Sequence, residues 1–401
     1  MWKDARRLVA GVSLLFLQAY PSPGPLAQTA GTPGIEDTLE MLREVDDVVA
    51  ASRRPQPIRE APSAVTVVTA DEIRAFGYRT LAEVLAHCRG FVTTYDRNYA
   101  YIGSRGFSRT GDYNSRVQVL IDGHRLNDNI YGAVLAEQGL PLDLSLVSRI
   151  EVIRGPGSAL YGSNAVFAAI NVVTLQAAQS EGLSAAAIGG SYGTGQVSVS
   201  YGSPASNPFQ MLASGTFFGA QGQDLYFKEF DTGGPGAGIA DGADAERSQR
   251  AFYRVRRGHV SVEALWAERS KEVPTASFST IFDDGHEKTV DGRAVLRGTF
   301  DRPFGQGHRL EATLAYDWMW YRGDYPYDYP PVTINKDLAR GGWATAGALV
   351  NLKAGDATKV TLGGEYVLNR EVFQRNWDEG SSADYVNDSH PFTVASSFAQ
   401  A

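Results

Sequence analysis

The 401-residue chain has the composition of a folded protein, because 43% of its residues are hydrophobic and 20% are charged. Its 43 glycines and 11% aromatic residues favour a β-rich architecture with many turns and argue against an all-helical fold. The net charge of -8, without a long basic run, argues against nucleic acid as the main partner, since phosphate neutralisation requires clustered cations. The single cysteine, Cys88, rules out an intrachain disulfide, and we expect it to be buried in an amphipathic helix.

The first 30 residues have the pattern of a secretory signal peptide. Basic residues precede an apolar run at 8–19, and small residues follow near Ala27 and Ala30. The run is too short for a spanning helix, and no later window offers ~20 consecutive apolar residues. We therefore predict an exported chain that can cross a membrane only as a closed β-barrel, since lipid offers no partner to unpaired backbone groups.

Residues 31–62 form a polar, proline-punctuated extension, and residues 63–175 read as a compact mixed domain. Thr69 with Glu72, and Thr80 with Glu83, have capping-box spacing and predict helices near 70–76 and 80–88. Gly77 and Gly90 are predicted to end these helices.

Several short strands follow in this domain. Residues 91–95 and 101–105 are predicted strands, and residues 117–121 meet the tight-turn dipeptide Asp122-Gly123 before 124–126, which predicts a hairpin. A last strand at 150–154 is stopped by Gly155-Pro156-Gly157. A brief helical turn over Ser158–Leu160, closed by Gly162, and a strand at 170–174 complete the domain.

The order of these segments resembles the plug domain of TonB-dependent outer-membrane receptors. The matching segments are Ser63–Ile73, Thr80–Leu85, Ser104–Phe107, Val119–Gly123 and Ile150–Gly162. Each segment alone is an ordinary turn or helix, so the resemblance rests on their order. It implies structural plug roles for Arg105, Gly106, Asp122, Gly123, Arg154, Gly155, Pro156, Gly157, Tyr161 and Gly162. Arg154 is expected to anchor the plug to the barrel.

After Thr174 the sequence alternates between apolar and polar residues, which is typical of transmembrane barrel strands. The predicted fold is an α+β plug domain followed by all-β antiparallel barrel strands over 176–401. The alternation points Glu263, Glu311, Asp317 and Glu365 into the lumen. We expect Glu263, Glu311 and Glu365 to pair with plug arginines; the alternative is that they are solvated lumen charges. The candidate plug arginines are Arg105, Arg109, Arg116, Arg125, Arg149 and Arg154.

Long insertions between strands are predicted at 219–250, 271–291 and 321–341, lengths that fit the extracellular side of a barrel. Aromatic and Arg residues on plug loops and on the last insertion are candidates for ligand contact, although tyrosines at barrel rims also serve as interface anchors. These candidates are Tyr99, Tyr101, Arg109, Tyr113, Tyr131 and Tyr325.

The region after the plug is long enough for roughly ten strands, whereas plugged outer-membrane transporters have about 22. We therefore expect a truncated chain that holds about ten of the 22 strands. Within the extension, Asp47-Val48-Val49-Ala50-Ala51 resembles the TonB box, which pairs by strand addition with the periplasmic energy-coupling protein. Asp37-Thr38-Leu39 is a competing candidate.

Enzyme motifs find no support in the sequence. Gly189–Gly193 fits G-x-S-x-G, but an alternating strand rather than a helix follows, so a hairpin turn is predicted. The histidines show no metal-ligand spacing, and neither a metal nor a cofactor is expected.

The resemblance implies active uptake of a scarce large substrate across the Gram-negative outer membrane. A ferric siderophore is favoured, with cobalamin or haem next, and the implied partners are a TonB-type coupling protein and outer-membrane lipid. The alternatives are a signalling receptor, or a ligand-binding receptor without energised transport.

Overall fold

The computed structural model describes residues 47–48, 56–57, 64–157, 161–354 and 358–400. The predicted signal peptide at 1–30, most of the extension at 31–62 and the predicted helical turn at 158–160 lie outside these ranges. Within the described ranges, no helix combines the length and the apolar character needed to cross a bilayer.

Two helices pack near the start of the plug, α1 (Ala70–Phe76) and α2 (Leu81–Ala86). The capping box of α1 is complete, because Glu72 N donates to Thr69 Oγ1 and Thr69 N donates to Glu72 Oε2. Gly77 ends α1 in the left-handed conformation, with φ of 66°.

The prediction for α2 was partly wrong. Thr80 accepts from Glu83 N, but the Glu83 carboxylate turns to Arg79, whose N–H and guanidinium are both 2.7 Å away, so the box is half formed. The helix ends at Ala86 and not at Gly90. Cys88 is buried as predicted but follows the helix, and burial raises the pKa of its thiol.

The plug contains a five-stranded sheet in the order β3-β8-β9-β6-β7, in which only the β6–β9 pair is parallel. Its strands are β3 (Ala64–Thr69), β6 (Val117–Ile121), β7 (His124–Arg125), β8 (Val147–Arg154) and β9 (Ala168–Thr174). A separate hairpin joins β4 (Phe91–Tyr95) and β5 (Ala100–Ser104), and β1 (Asp47–Val48) pairs with β2 (Gln56–Pro57).

The predicted hairpin at Asp122-Gly123 is confirmed. Both residues have positive φ, 45° and 77°, as the tight turn between β6 and β7 requires. The plug core packs α2 against the sheet, and Leu81, Leu85 and Ile150 have no exposed surface.

The rest of the described chain is one antiparallel sheet of eleven strands, consistent with the predicted partial barrel. Neighbours in sequence pair in order, with β21 and β22 both pairing with β20. The strands are β10 (Gly182–Gly189), β11 (Gly195–Gly202), β12 (Gln210–Ala220), β15 (Glu246–Arg257), β16 (Val260–Glu272), β17 (Lys288–Phe304), β18 (His308–Tyr327), β19 (Thr333–Ala354), β20 (Thr358–Asp378), β21 (Asp384–Ser389) and β22 (Phe392–Gln400).

Short elements complete the structure. A small hairpin of β13 (Leu225–Tyr226) and β14 (Ile239–Ala240) lies in the connection after β12. The 3-10 helices are Leu144–Leu146, Ala177–Ser180, Lys228–Phe230 and Ser277–Ser279.

The predicted alternation of barrel residues is confirmed. On β18, Leu314 is 68% exposed on the outer face while Asp317 has no exposed surface on the inner face. On β16, Glu263, Leu265 and Arg269 are buried on the inner face. The inner faces from β11 to β20 contact the plug, as Gln196 binds Asp143 at one end of that range and Gln374 binds Tyr131 at the other.

The connections define two ends of the sheet. At one end, residues 221–245 and 273–287 form long connections, whereas at the other end strands are joined by short turns such as 305–307. We call the first the long-loop end. In outer-membrane β-barrels the end with the longer loops is extracellular.

The prediction of an insertion at 321–341 was wrong. β18 continues to Tyr327 and β19 begins at Thr333, which leaves only residues 328–332 as a connection. The register of the two strands continues through the Pro326–Ile334 pair, since a proline there loses only its own N–H. The Pro326 carbonyl accepts from Ile281 N at 2.9 Å.

Candidate ligand cavity and plug anchors

A cavity of about 930 Å³ lies between the plug and the inner barrel wall at the long-loop end. Plug loops within 96–113 and 126–141 form one side, and residues of β17 to β20 form the other. Its volume is at the upper end of the range for small-molecule sites.

Tyrosines dominate the cavity wall. Five of the six residues predicted to contact ligand line it, namely Tyr99, Tyr101, Tyr113, Tyr131 and Tyr325. Tyr113 packs edge-on against Tyr99, with ring centroids 5.4 Å apart. Tyr131 accepts a hydrogen bond from Gln374 Nε2 at 2.7 Å, and burial raises the pKa of Tyr131 to about 12.

The sixth predicted residue, Arg109, is not on this wall. It is exposed, and its carbonyl accepts from Asp112 N in a turn of the loop after β5. The arginine that does line the cavity is Arg293 of β17, which sequence reasoning did not single out. Its place on the inner face of a strand is the signal that could have identified it.

Four carboxylates also line the cavity, Asp96, Asp128, Asp291 and Asp337. Asp128 holds its loop closed by accepting from the backbone N–H groups of Ile130, Tyr131 and Ala133. Burial raises the pKa of Asp128 in spite of these bonds.

Below the cavity, the plug is held to the wall at the turn between β6 and β7. The Asp122 carboxylate accepts from Thr174 N at 2.9 Å and from Arg254 Nη1 of β15 at 2.9 Å. Arg297 of β17 donates to the Asp122 carbonyl at 3.0 Å and binds Glu263 at 2.9 Å. The turn predicted from Asp122-Gly123 is therefore also an anchor, which the dipeptide alone does not reveal.

A second anchor lies on β7. His124 Nε2 is 3.0 Å from Asp317 Oδ1, and Arg293 Nη2 is 2.8 Å from the same oxygen. All three side chains are buried. The guanidinium of Arg293 also lies 4.5 Å from the ring centroid of Trp343, a cation–π contact.

A third anchor is centred on Arg269 of β16, which has no exposed surface. It binds Glu246 at 2.6 Å and donates to the Asn98 carbonyl at 2.7 Å, and it lies 3.8 Å from both Glu137 and Asp291. Burial raises the pKa of Glu137 to about 7, although Arg269 opposes the shift.

The three barrel carboxylates expected to pair with the plug differ in their partners. Glu365 pairs with Arg125 of β7 at 3.0 Å. Glu263 instead pairs with the barrel residues Arg297 and Arg254. Among the described residues, Glu311 makes no ion pair with the plug, because it lies near the short-turn end of β18.

Most of the expected plug arginines do not reach the wall. Arg154 donates to the Arg89 carbonyl at 3.0 Å, so it braces the plug internally and the expectation of a barrel anchor was wrong. Arg149 pairs with Glu151, and Arg116 lies 3.9 Å from Asp112. The polarity across the interface is mixed, since Arg97 and Arg125 of the plug bind barrel carboxylates while Arg254 and Arg269 of the barrel lie by plug carboxylates. The barrel cations that contact the plug are Arg250, Arg254, Arg269 and Arg297.

The remaining signature residues shape the plug. Gly155 (φ 114°) donates its N–H to Phe167 O, and Gly157 donates to Ala165 O, both at 2.9 Å. Tyr161 is buried between the sheet and Ala165, and Gly162 follows with φ of 82°. Exposed positions at turns belong to Arg105, Gly106 and Pro156.

Of the proposed TonB box, only Asp47 and Val48 are described, in β1. Val49, Ala50 and Ala51 lie outside the described residues. No group of three or more His, Cys, Asp or Glu side chains in the described ranges is arranged to hold a metal ion.

The fold and site define a class: a mixed plug seated against the inner face of an antiparallel barrel wall. Residues 57–169 match the family model of the TonB-dependent receptor plug domain. The vitamin B12 transporter BtuB of Vibrio vulnificus is 34% identical over 139 residues, which cover 34% of this chain and 21% of that protein.

Solved structures agree with this class. The pyoverdine outer-membrane receptor FpvA of Pseudomonas aeruginosa matches with a TM-score of 0.62 and 14% identity, over 86% of this chain and 51% of that one. The ferric enterobactin receptor PfeA of the same species matches with a TM-score of 0.62 and 18% identity, over 88% and 56% of the two chains.

The chain is thus similar to the TonB-dependent receptors in its plug domain, residues 57–169, and shares the fold of the solved outer-membrane receptors. It spans about half the length of the solved receptors it matches, and a smaller share of the B12 transporter.

Proposed function

We propose that this chain supplies the plug and part of the wall of a receptor for energised uptake of a scarce, large substrate. The observation that supports this most directly is the position of the tyrosine-lined cavity. It opens at the long-loop end, and its floor is the plug itself. A ligand bound there contacts the element that must move for it to pass.

The anchors support a gating role for the plug. Buried ion pairs fix one position of a domain with high geometric specificity, even where they add little net stability. Asp122, His124 and Arg125 provide three polar contacts to the wall on one hairpin, of which the Arg125–Glu365 pair is partly exposed. The plug is thus held in a defined seat until another source of free energy displaces it.

The proposed energy source is a TonB-type coupling protein that pairs with residues 47–51 by strand addition. Asp47 and Val48 adopt extended conformation in β1 and pair with Gln56 and Pro57, so this stretch can already act as a strand. The substrate classes implied by the family are ferric siderophores, cobalamin and haem. The named relatives include a B12 transporter and receptors for pyoverdine and ferric enterobactin.

The test is deletion of residues 47–51 in the gene expressed in its native host. Energised accumulation of a radiolabelled ferric siderophore or cobalamin should fall to the level of a coupling-protein deletion, while surface binding of that ligand is retained. Accumulation that survives the deletion would instead indicate a ligand-binding receptor without energised transport.

A second variant tests the cavity. Tyr113→Ala removes a ring from the wall and should weaken surface binding about tenfold, corresponding to the loss of roughly 1.4 kcal/mol. Tyr192→Ala is the matched control, because Tyr192 is 58% exposed in the hairpin between β10 and β11 and lies outside the cavity. Equal effects of the two substitutions would place the ligand elsewhere.

A further inference from the structure

The charge of the cavity wall is strongly unbalanced. Four carboxylates line it, and Arg293 is the one Lys or Arg among its lining residues in the described part of the chain. A cavity with low-dielectric walls focuses such a charge and extends its influence across the enclosed space.

Arg293 does not offset this charge for a ligand. Its Nη2 lies 2.8 Å from Asp317 Oδ1, its guanidinium lies over Trp343, and its side chain is only 9% exposed. An anionic ligand would have to compete with Asp317 for this cation, which would leave a buried carboxylate with less compensation.

Most of the cavity carboxylates, unlike Arg293, have no described side chain of opposite charge bound to them. Asp291 shares Arg269 with two other acids, at 3.8 Å. Asp96 and Asp128 are bound by backbone N–H groups, and none of Asp96, Asp128 and Asp337 forms an ion pair with a Lys or Arg in the described ranges. Arg293 is the cation that acts on Asp128, but it is already bound to Asp317, so the described residues leave most of the negative charge of these three side chains unbalanced.

The aromatic wall favours the same kind of ligand. Tyr113, Tyr131 and Tyr325 line the same space as Asp128 and Asp337. Aromatic faces attract cations, and phenol groups with nearby carboxylates accept hydrogen bonds from amides and ammonium groups.

We infer that this cavity selects a ligand that presents cationic or donor-rich groups, and that it discriminates against chelates of net negative charge. The inference rests on the proposed function and narrows its substrate class. Among candidate substrates, we expect chelates or macrocycles of neutral or positive charge to bind most tightly and polyanionic ferric chelates to bind least tightly.

The experiment compares three ferric chelates that share one iron-binding core and differ in the charge of a terminal substituent. Ferrioxamine B carries a terminal ammonium, its N-acetyl derivative is uncharged there, and its N-succinyl derivative ends in a carboxylate. Binding to the 401-residue chain in detergent micelles is measured by quenching of intrinsic fluorescence. We expect the ammonium form to bind at least about tenfold more tightly than the succinyl form, with the acetyl form between them.

Two substitutions assign the preference to the cavity. Asp337→Lys places a cation on the wall and should abolish or invert the order of the three chelates, and Asp337→Asn should reduce the ratio. Asp328→Lys is the matched control, since Asp328 is exposed in the connection between β18 and β19 and does not line the cavity. The control should keep the preference of the unsubstituted chain.

Equal affinity for the three chelates, tighter binding of the succinyl form, or an unchanged ratio in Asp337→Lys would each overturn the inference. These outcomes are independent of energy coupling. Loss of the charge preference with accumulation still dependent on residues 47–51 removes only the inference, whereas a preserved preference with accumulation independent of those residues removes only energised uptake.

Discussion

The plug meets the barrel wall in two regions that are built from opposite chemistry. At the anchors, cations of one side are matched to carboxylates or carbonyls of the other, as in the contacts of Arg254, Arg269 and Arg125. In the cavity, three of the four carboxylates form no ion pair with a Lys or Arg of the described ranges, and aromatic rings make up much of the wall. The matched region fixes position, and the unmatched region leaves binding capacity for a molecule that is not part of the protein.

This difference predicts that the two regions respond differently to substitution. Removing one partner of a buried ion pair leaves an uncompensated charge, which costs far more than the intact pair contributes. Neutralising a carboxylate that already lacks a cation relieves repulsion. Anchor variants should therefore destabilise the plug, whereas cavity variants should alter ligand binding with little effect on stability.

The largest effect is expected for Arg254→Ala. It deprives Asp122 and Glu263 of a cation and should lower the free energy of unfolding of the plug by about 3 kcal/mol. Urea titration in micelles, followed by plug-specific proteolysis, measures this change. Arg256→Ala on the same strand is the control, because Arg256 is exposed. Similar destabilisation by both variants would show that Arg254 is not a specific anchor.

A pH dependence should follow from Glu137. Its pKa is raised from 4.5 to about 7 in the folded protein, so the folded state binds more protons than the unfolded state between these values. Stability should be greatest near pH 4.5 and fall by about 1–3 kcal/mol as the pH rises through 7. Glu137→Gln should reduce this slope in urea titrations at several pH values. A slope that is unchanged in this variant would show that Glu137 does not contribute to it.

A comparable but more local effect is expected for Gly341→Ala. A Cβ at this position of β19 would clash with Asn129 Oδ1 and lie 2.8 Å from Met319 Cγ. The plug would have to shift from the wall and lose the Asn129–Glu371 bond, at a cost of about 1–2 kcal/mol. Gly347→Ala on the same strand meets only Gly364 O at 3.7 Å and is the control. Chemical unfolding of both variants distinguishes close approach from the general effect of adding a methyl group.

The smallest effect is expected for the Arg125–Glu365 pair, because both side chains are partly exposed, at 38% and 22%. Arg125→Glu or Glu365→Arg alone should destabilise the plug by about 1 kcal/mol, and the double exchange should restore most of it. A thermodynamic cycle of the four proteins measures the coupling. Additive effects of the two changes would mean that the pair does not hold the plug.

Much of the fold was accessible from the sequence because its signals are local. The Thr69 capping box and the Asp122-Gly123 turn depend on residues a few positions apart, and strand alternation depends on period two. The capping box of α2 is only half formed because the Glu83 carboxylate binds Arg79, a competition between neighbours that spacing does not resolve. The extension of β18 beyond Tyr321 depended on pairing with β19 rather than on its own glycine and proline residues.

The site was less accessible because its contacts join residues far apart in sequence. Tyrosines on plug loops were correctly placed near the cavity by topology alone, but Arg109 was not. The sequence also does not predict which side of the plug–barrel interface supplies the cation of each ion pair. Arg254 and Asp122, for example, are recognisable as partners only after the strands are assembled. Inner-face parity identifies which charges face the plug, but not which partner each one takes.

The strand order of the plug sheet gives these anchors a mechanical meaning. Asp122, His124 and Arg125 all belong to the β6–β7 hairpin at one edge, and the N-terminal segment enters the sheet through β3 at the opposite edge. A load applied at the N-terminus must cross three hydrogen-bonded ladders before it reaches these wall contacts. Strand β3, which is nearest the load, can therefore separate from the sheet while the β6–β7 edge stays fixed to the barrel wall.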